Sequence, residues 1–338
     1  MNNTEMIHPS VQISIWIYLP PIFILIGIIE GILSLLILSK KQFRDLPVIT
    51  TLTALSVVDS LIFILCLGQR WISSILDFEL PLLNNFSCQF FSFITLSLTH
   101  MSAMFVALLS IERAVAITDL VKNRKIDRFG VPVIILFALI FNTIPLRYIH
   151  LIKSDPSLED NAEPGLHQKN YAFTCTQTSL LAATIYDIYD ALFLAILPGL
   201  TILICNFFII RTLNKKSTVL IKLQMPTLGS TTDVDRIKRR KRSRDVRITK
   251  TLLIVTFTFC LCNVPFAIVN IIRTVEKLND DMLPDILWAS TLVLTYINNL
   301  LNFPIYCASQ PSLREELLNL LRIKNIYRRI TFVNTPNQ

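Results

Sequence analysis

Asp59, Glu112, Arg113, Asp187 and Asp190 are ionisable residues set inside long apolar runs of a 338-residue chain. A charge in such surroundings is costly, about 2.5–3.5 kcal/mol at a bilayer centre, so it needs partners or an ion and marks a functional site by default. Asp59 ends the run Leu55-Ser-Val-Val-Asp59. Glu112-Arg113-Ala114 follows Cys88 by 24 residues, about 36 Å of helix. Asp187 and Asp190 are spaced i,i+3 and share a helical face; a bundle-facing acid pair and a solvated helix start both fit that spacing. No hydrolytic triad, metal-binding His pair or phosphate loop occurs, and His8, His100, His150 and His167 are scattered. The chemistry on offer is charge pairing, hydrogen bonding and cation coordination rather than bond breaking, so no enzyme is expected.

Seven apolar stretches must position these residues: Ile13–Leu38, Val48–Trp71, Cys88–Ile117, Phe129–Ile152, Thr184–Leu213, Arg247–Thr274 and Pro284–Cys307. Each is long enough to cross about 30 Å of hydrocarbon as a helix. In lipid the backbone must satisfy itself, which leaves helices or a closed barrel, and the short alternating strands of a barrel are missing. The expectation is an all-α membrane protein, a seven-transmembrane-helix bundle over residues 13–307. A tail of residues 1–12 precedes it. It lacks the basic start and cleavage site of a secretory signal, so the first helix reads as an uncleaved anchor. Residues 308–338 follow, with a short amphipathic helix at 312–322 capped by Ser312. Leu313, Leu317, Leu320 and Leu321 form its apolar face, suited to the membrane surface.

The net charge is +8, and its distribution orients the bundle. Lys40, Lys41, Arg44, Lys122, Arg124, Lys125, Arg128, the run from Arg236 to Arg244, and Arg322 with Lys324 fall on one side. Basic residues mark the cytoplasmic face, which places the N-terminus outside a multi-pass protein of the plasma membrane. The basic run then anchors lipid headgroups, and nucleic acid is not an expected partner. The connection Asn214–Val246 is long, polar and basic.

Cys66, Cys205, Cys260, Cys262 and Cys307 lie within spans as packed thiols. Cys88 and Cys175 share the outer, oxidising side, where disulfides persist. Closing that loop contributes about 4–5 kcal/mol in the chain-entropy model. Two glycosylation sequons, at Asn2 and Asn85, fall on the same side.

Several segments together resemble the rhodopsin-like G-protein-coupled receptors. Glu112-Arg113-Ala114 is similar to the acid-Arg-Tyr at the inner end of their third helix, with Ala114 for Tyr. Asp59 matches the second-helix acid, and Phe259-Cys-Leu-Cys-Asn-Val-Pro265-Phe266 resembles Phe-x-x-Cys-Trp-x-Pro-Phe, with Asn263 for Trp. Asn302-Phe-Pro-Ile-Tyr306 resembles Asn-Pro-x-x-Tyr with Phe303 for Pro, a form similar to invertebrate FMRFamide-like peptide receptors. Pro198 matches the fifth-helix proline. Asn206, Gly31 and Ile135 depart from the usual Tyr, Asn and Trp. The resemblance implies an activation switch of Glu112, Arg113, Asn263, Pro265, Asn302 and Tyr306, with Asp245 set to pair with Arg113 across helices or with Lys241 locally. It implies a sodium ion or a water-filled polar cluster at Asp59, Ser102, Asn298 and Asn302. It implies a heterotrimeric G protein and arrestin as partners.

Thr95 stands where an amine receptor has its Asp, and Tyr296 where an opsin has its Schiff-base Lys. The outer connections are rich in acids, among them Glu79, Asp155, Glu159 and Asp280, a charge that would steer a cationic ligand. A peptide, and hence neuropeptide-type signalling, is the expected ligand class, with Thr95, Asp187, Asp190, Arg273 and Tyr296 as candidate contacts. Chemosensory or decoy receptors of the same fold are alternatives. A seven-helix transporter or channel is the alternative from another class, although no internal repeat supports it.

Overall fold

The computed structural model describes residues 8–43, 48–76, 78–118, 125–153, 173–222, 253–273 and 285–321. Among the described residues seven helices are long and apolar enough to cross a membrane, and the chain is a multi-pass membrane protein. Helix α1 spans His8–Leu38 and α2 Ile49–Leu76. Helix α3 covers Asn85–Thr118 and α4 Lys125–Phe141. Helix α5 runs through Leu180–Ala191, Leu192–Ile196 and Leu197–Lys222. Helix α6 occupies Leu253–Arg273, α7 Asp285–Ser309 and the tail helix α8 Pro311–Leu320. Asn2, Asp245 and the basic run lie outside the described residues.

Helix α3 is the axis. In its most apolar stretch 72% of residues are buried, against 22–44% in the other six spans. It packs on α2, α4 and α5, while α1 packs on α2 and α7. Phe63, Phe105 and Phe259 fill the centre. Ile22, Leu25, Ile29, Leu136, Leu200 and Phe257 point outward, as a lipid solvent allows.

Two glycines set the α1–α2 approach. A Cβ on Gly27 would collide with the Phe63 ring, and one on Gly31 with the Ser60 hydroxyl. They form a G-x-x-x-G pair, the spacing that lets membrane helices meet closely. Gly31 therefore leaves room for Ser60 where the resemblance would place an Asn side chain. Both α2 and α5 contain a π-helical turn, Ile62–Leu67 and Leu192–Ile196. The second precedes Pro198, whose missing N–H leaves the carbonyl of Leu194 without its regular partner; widening the turn accommodates it.

Beside the longer ends of α2, at Leu76 rather than Trp71, and of α5, at Lys222 rather than Leu213, three differences from the sequence expectation have structural consequences. Helix α1 starts five residues earlier, at His8 rather than Ile13. The fourth span does not reach Ile152: α4 ends at Phe141, because Pro145 has no N–H for that carbonyl. After a short 3₁₀ turn, Pro145–Tyr148, the segment Ile149–Lys153, with β-branched Ile149 and Ile152, becomes strand β1. It pairs antiparallel with β2, Phe173–Gln177, with Leu151 opposite Cys175. The all-helical expectation thus gains one hairpin.

The tail helix is the third difference. Gln310 occupies its N-cap without a side-chain bond, and Pro311 takes the first position, for which its fixed φ is suited; Ser312 is already inside the helix and is not the cap. Leu313 is buried in the bundle. Lys40 forms an ion pair with Glu316, and Gln42 Nε2 donates to Glu316 Oε2 at 3.0 Å. The Lys40 hydrogen bond, then that of Gln42, holds the Glu316 carboxyl below its usual range. Such a depressed acid favours docking above the ordinary carboxylate range and loses that contribution as pH falls through its own lowered value. Glu316→Gln is expected to raise amide exchange across α8 at neutral pH while leaving α3 unchanged. Unaltered α8 exchange would mean that Leu313 alone docks the helix.

Candidate functional site

Among the described residues, polar clusters interrupt the apolar core mid-bundle, towards Arg113, at the mouth near the disulfide, and between α3 and α5 around His100. In the middle, Asp59 is 7% exposed. Ser102 Oγ donates to its Oδ1 at 2.6 Å and Asn302 Nδ2 to its Oδ2 at 2.8 Å. One carboxylate therefore ties α2 to α3 and α7. The Ser102 hydroxyl also lies 3.3 Å from Asn299 Oδ1. A cavity of about 30 Å³ adjoins the cluster, lined by Glu30, Ser34, Asp59, Asn299, Asn302 and Tyr306 among others; it has room for water-sized occupants. Asn298, expected in this set, is buried but does not line the cavity, and Asn299 takes that place. The acid Glu30 of α1 shares it. Pro304 removes the hydrogen bond to the Leu300 carbonyl and loosens the α7 turn that carries Asn302.

Towards the end of α3, Glu112 is buried and its Oε1 accepts from Thr51 Oγ1 at 2.6 Å. Arg113 lies near Tyr306 and Glu112. Asn206 Nδ2 donates to Thr256 Oγ1, joining α5 to α6. In α6, Asn263 is buried and its Nδ2 donates to the Phe259 carbonyl at 3.1 Å, just ahead of Pro265. A side chain in the hydrogen-bond ladder beside a proline is a recognised origin of helix bending.

The opposite end is closed by the Cys88–Cys175 disulfide, with Cα atoms 5.6 Å apart. It binds β2 to the start of α3. Gln89 Nε2 reaches the carbonyls of Leu146 and Ile149, at 3.3 and 3.1 Å. Asn85 is exposed, and its Oδ1 accepts from the Leu151 N–H at 3.0 Å. The hairpin is thus fastened to the mouth of the bundle by both covalent and polar contacts.

Inside this mouth a relay joins three helices. Asn270 Nδ2 donates to Asp187 Oδ1 at 3.0 Å, and Trp288 Nε1 donates to Asn270 Oδ1 at 3.3 Å. Arg273 Cζ lies 5.0 Å and Arg70 Cζ 5.2 Å from the centre of the Trp288 ring; Arg70 is also 5.4 Å from that of Trp16. Tyr296 is buried and adjoins Arg70. Thr95 neighbours Cys66. Asp187, Arg273, Tyr296 and Thr95 were expected at a ligand site. Arg70, Trp16, Asn270 and Trp288 were not, although an Arg ending the apolar run before Trp71 is a sequence signal.

Asp190 belongs elsewhere, which separates the expected acid pair. Its Oδ1 accepts from His100 Nε2 at 3.0 Å, and His100 Nδ1 meets Asn142 Oδ1 at 3.0 Å. The Tyr189 hydroxyl donates to the same Asn142 oxygen at 3.1 Å. This buried network ties α3, the residue after α4, and α5. Asp190→Ala is expected to destabilise the purified protein by about 1–3 kcal/mol, the cost of orphaning a buried donor, with ligand potency unchanged. Lower potency at unchanged thermal stability would return Asp190 to the ligand site.

The family model of the 7 transmembrane receptor (rhodopsin family) matches residues 31–306. The 5-hydroxytryptamine receptor 2 of Aplysia californica is 28% identical over 142 residues, 42% of this chain and 30% of that protein. The 5-hydroxytryptamine receptor 4 of Cavia porcellus is 33% identical over 103 residues, 30% of this chain and 26% of that protein. The matched stretches span less than a third of either relative's length.

Proposed function

The chain belongs to the rhodopsin family of seven-transmembrane receptors, and from that premise we propose that it passes an extracellular peptide signal to a heterotrimeric G protein. The disulfide end faces outward in the plasma membrane, since the basic residues gather at the other end. The observation that carries this reading is the placement of Arg113 with Tyr306 and the Thr51-bound Glu112 at the end of α3 remote from Cys88. A ligand-responsive mouth and a polar switch are thereby joined by one central helix, with Asp59 bridging α2, α3 and α7 between them. A G protein, and arrestin after it, would engage the Arg113 end. A sodium ion beside Asp59 is part of the proposal; Asp59, Ser102 and Asn299 offer it oxygens, the donors a hard cation takes.

The relatives named as 5-hydroxytryptamine receptors favour a second reading, an amine ligand. Against it, Glu112 is the only carboxylate on α3, and it lies far from the mouth. Thr95 occupies the expected amine-binding depth. The mouth instead spreads Arg70, Asp187, Asn270 and Arg273 across α2, α5 and α6, a width suited to a peptide with a basic residue for Asp187. The test is a cell line expressing the chain, exposed to amidated and free-acid peptides and to 5-hydroxytryptamine, with calcium and cAMP recorded. A peptide agonist is expected, with potency reduced at least tenfold by Asp187→Asn. Activation by 5-hydroxytryptamine below the concentration of any active peptide would replace the peptide with the amine.

A further inference from the structure

We propose that Arg70, held over the Trp16 and Trp288 rings beside Tyr296, is a binding site for a carboxylate carried by the ligand. The inference rests on the receptor reading for the ligand's existence, and it names a group that ligand must bear. Arg70 belongs to α2, Trp16 to α1, and Trp288 with Tyr296 to α7, so three helices converge on one guanidinium. Its charge is stabilised by the two indoles at 5.4 and 5.2 Å. Among the described residues no carboxylate lies within ion-pair distance of it.

A cation–π contact acts through the charge of a guanidinium, and none of the hydrogen bonds found among the described residues engages the Arg70 side-chain N–H groups. The neighbouring Tyr296 hydroxyl could take one of them. The remaining donors form the fork that matches a carboxylate in two-point geometry. Water would serve those donors in a free receptor, but the half-buried position excludes much of it. A carboxylate arriving there gains from the lowered dielectric and meets a donor already oriented by aromatic packing. Asp187, at the other end of the Asn270–Trp288 relay, repels the same group and so fixes which end of a ligand enters on which side. The carboxylate can come from a free peptide C-terminus or from an acidic side chain.

The experiment uses the full chain purified into lipid nanodiscs and reads its tryptophan fluorescence. Two of the three tryptophans, Trp16 and Trp288, lie on Arg70, and the third is Trp71. Three probe sets are titrated: N-acetylated dipeptides with free C-termini, the same dipeptides amidated, and amidated dipeptides containing Glu. A saturable change is expected from the first set, the third, or both, which also identifies the source of the carboxylate. The neutral amidated set is expected to produce none. Arg70→Gln should weaken the response at least tenfold, and Arg70→Lys, which keeps charge but not the fork, should fall between. Equal responses from acid and amide forms, no saturable response from either carboxylate set, or an unchanged response in folded Arg70→Gln would each overturn the proposal. The acid-against-amide comparison in the unmodified chain decides it even if Arg70→Gln fails to fold. No G protein is needed for this readout. A chain that binds carboxylates yet fails to signal would refute the receptor function alone; one that signals to neutral amidated peptides and ignores carboxylates would refute this site alone.

Discussion

Cys175→Ser is expected to remove most of the protein from the cell surface and to abolish ligand response in what remains. The bridge closes a loop with a sequence separation of 87 residues, about 4–5 kcal/mol in the chain-entropy model. That is a large share of the stability of most proteins. The effect on the site is more specific. Cys175 lies in β2 opposite Leu151, so losing the bond removes the covalent tie of the hairpin to α3 and leaves it to weaker contacts, the Gln89 and Asn85 hydrogen bonds and the buried Ile149 among them. Cys88→Ser should reproduce the loss, and the double variant should be no worse than either single one, because both remove one bond. Surface labelling of the three variants checks this. Additive losses would show that the two sulfurs act separately.

Asp59→Ala is the second large effect. Ser102 and Asn302 both donate to this carboxylate from other helices, and hydrogen bonds to a charged group contribute about 1.5–3 kcal/mol each. Truncation orphans both donors in the core and uncouples α2 from α3 and α7. A melting temperature lowered by several degrees and a strongly reduced agonist response at matched surface level are expected. Asp59→Asn, which keeps an acceptor for Ser102, should recover part of the stability. Identical melting of Asp59→Ala and the parent protein would mean that the cluster carries no structural load.

The spans were legible because twenty-odd apolar residues in a row have one outcome in lipid. The Cys88–Cys175 pair was legible for a similar reason: two thiols on one oxidising side leave little choice. What stayed hidden depended on rotation about helix axes. Asp187 and Asp190 have ideal spacing for a common face, yet His100 of α3 and Asn270 of α6 draw them into different networks. Asn298 and Asn299 are adjacent, and only the packing of α7 decides which one meets the Asp59 cavity. Residues 149–152 fall inside the expected fourth span because a short, largely apolar segment serves either structure, and the deciding pairing is with Phe173–Gln177, far along the chain. Arg70 ends the second apolar run in the sequence, and only the fold sets Trp16 and Trp288 against it.

The most direct test of signalling is GTP-analogue uptake by purified heterotrimeric G proteins mixed with the full chain in nanodiscs, under a peptide active in cells. Uptake above the G protein alone is expected, rising with peptide, and Arg113→Ala should reduce it roughly 30-fold or more, the consequence of losing about 2 kcal/mol or more from a buried charged contact. No peptide-dependent uptake with any G-protein class, or uptake unchanged in Arg113→Ala, would contradict the proposal that this bundle is a G-protein-coupled peptide receptor working through Arg113.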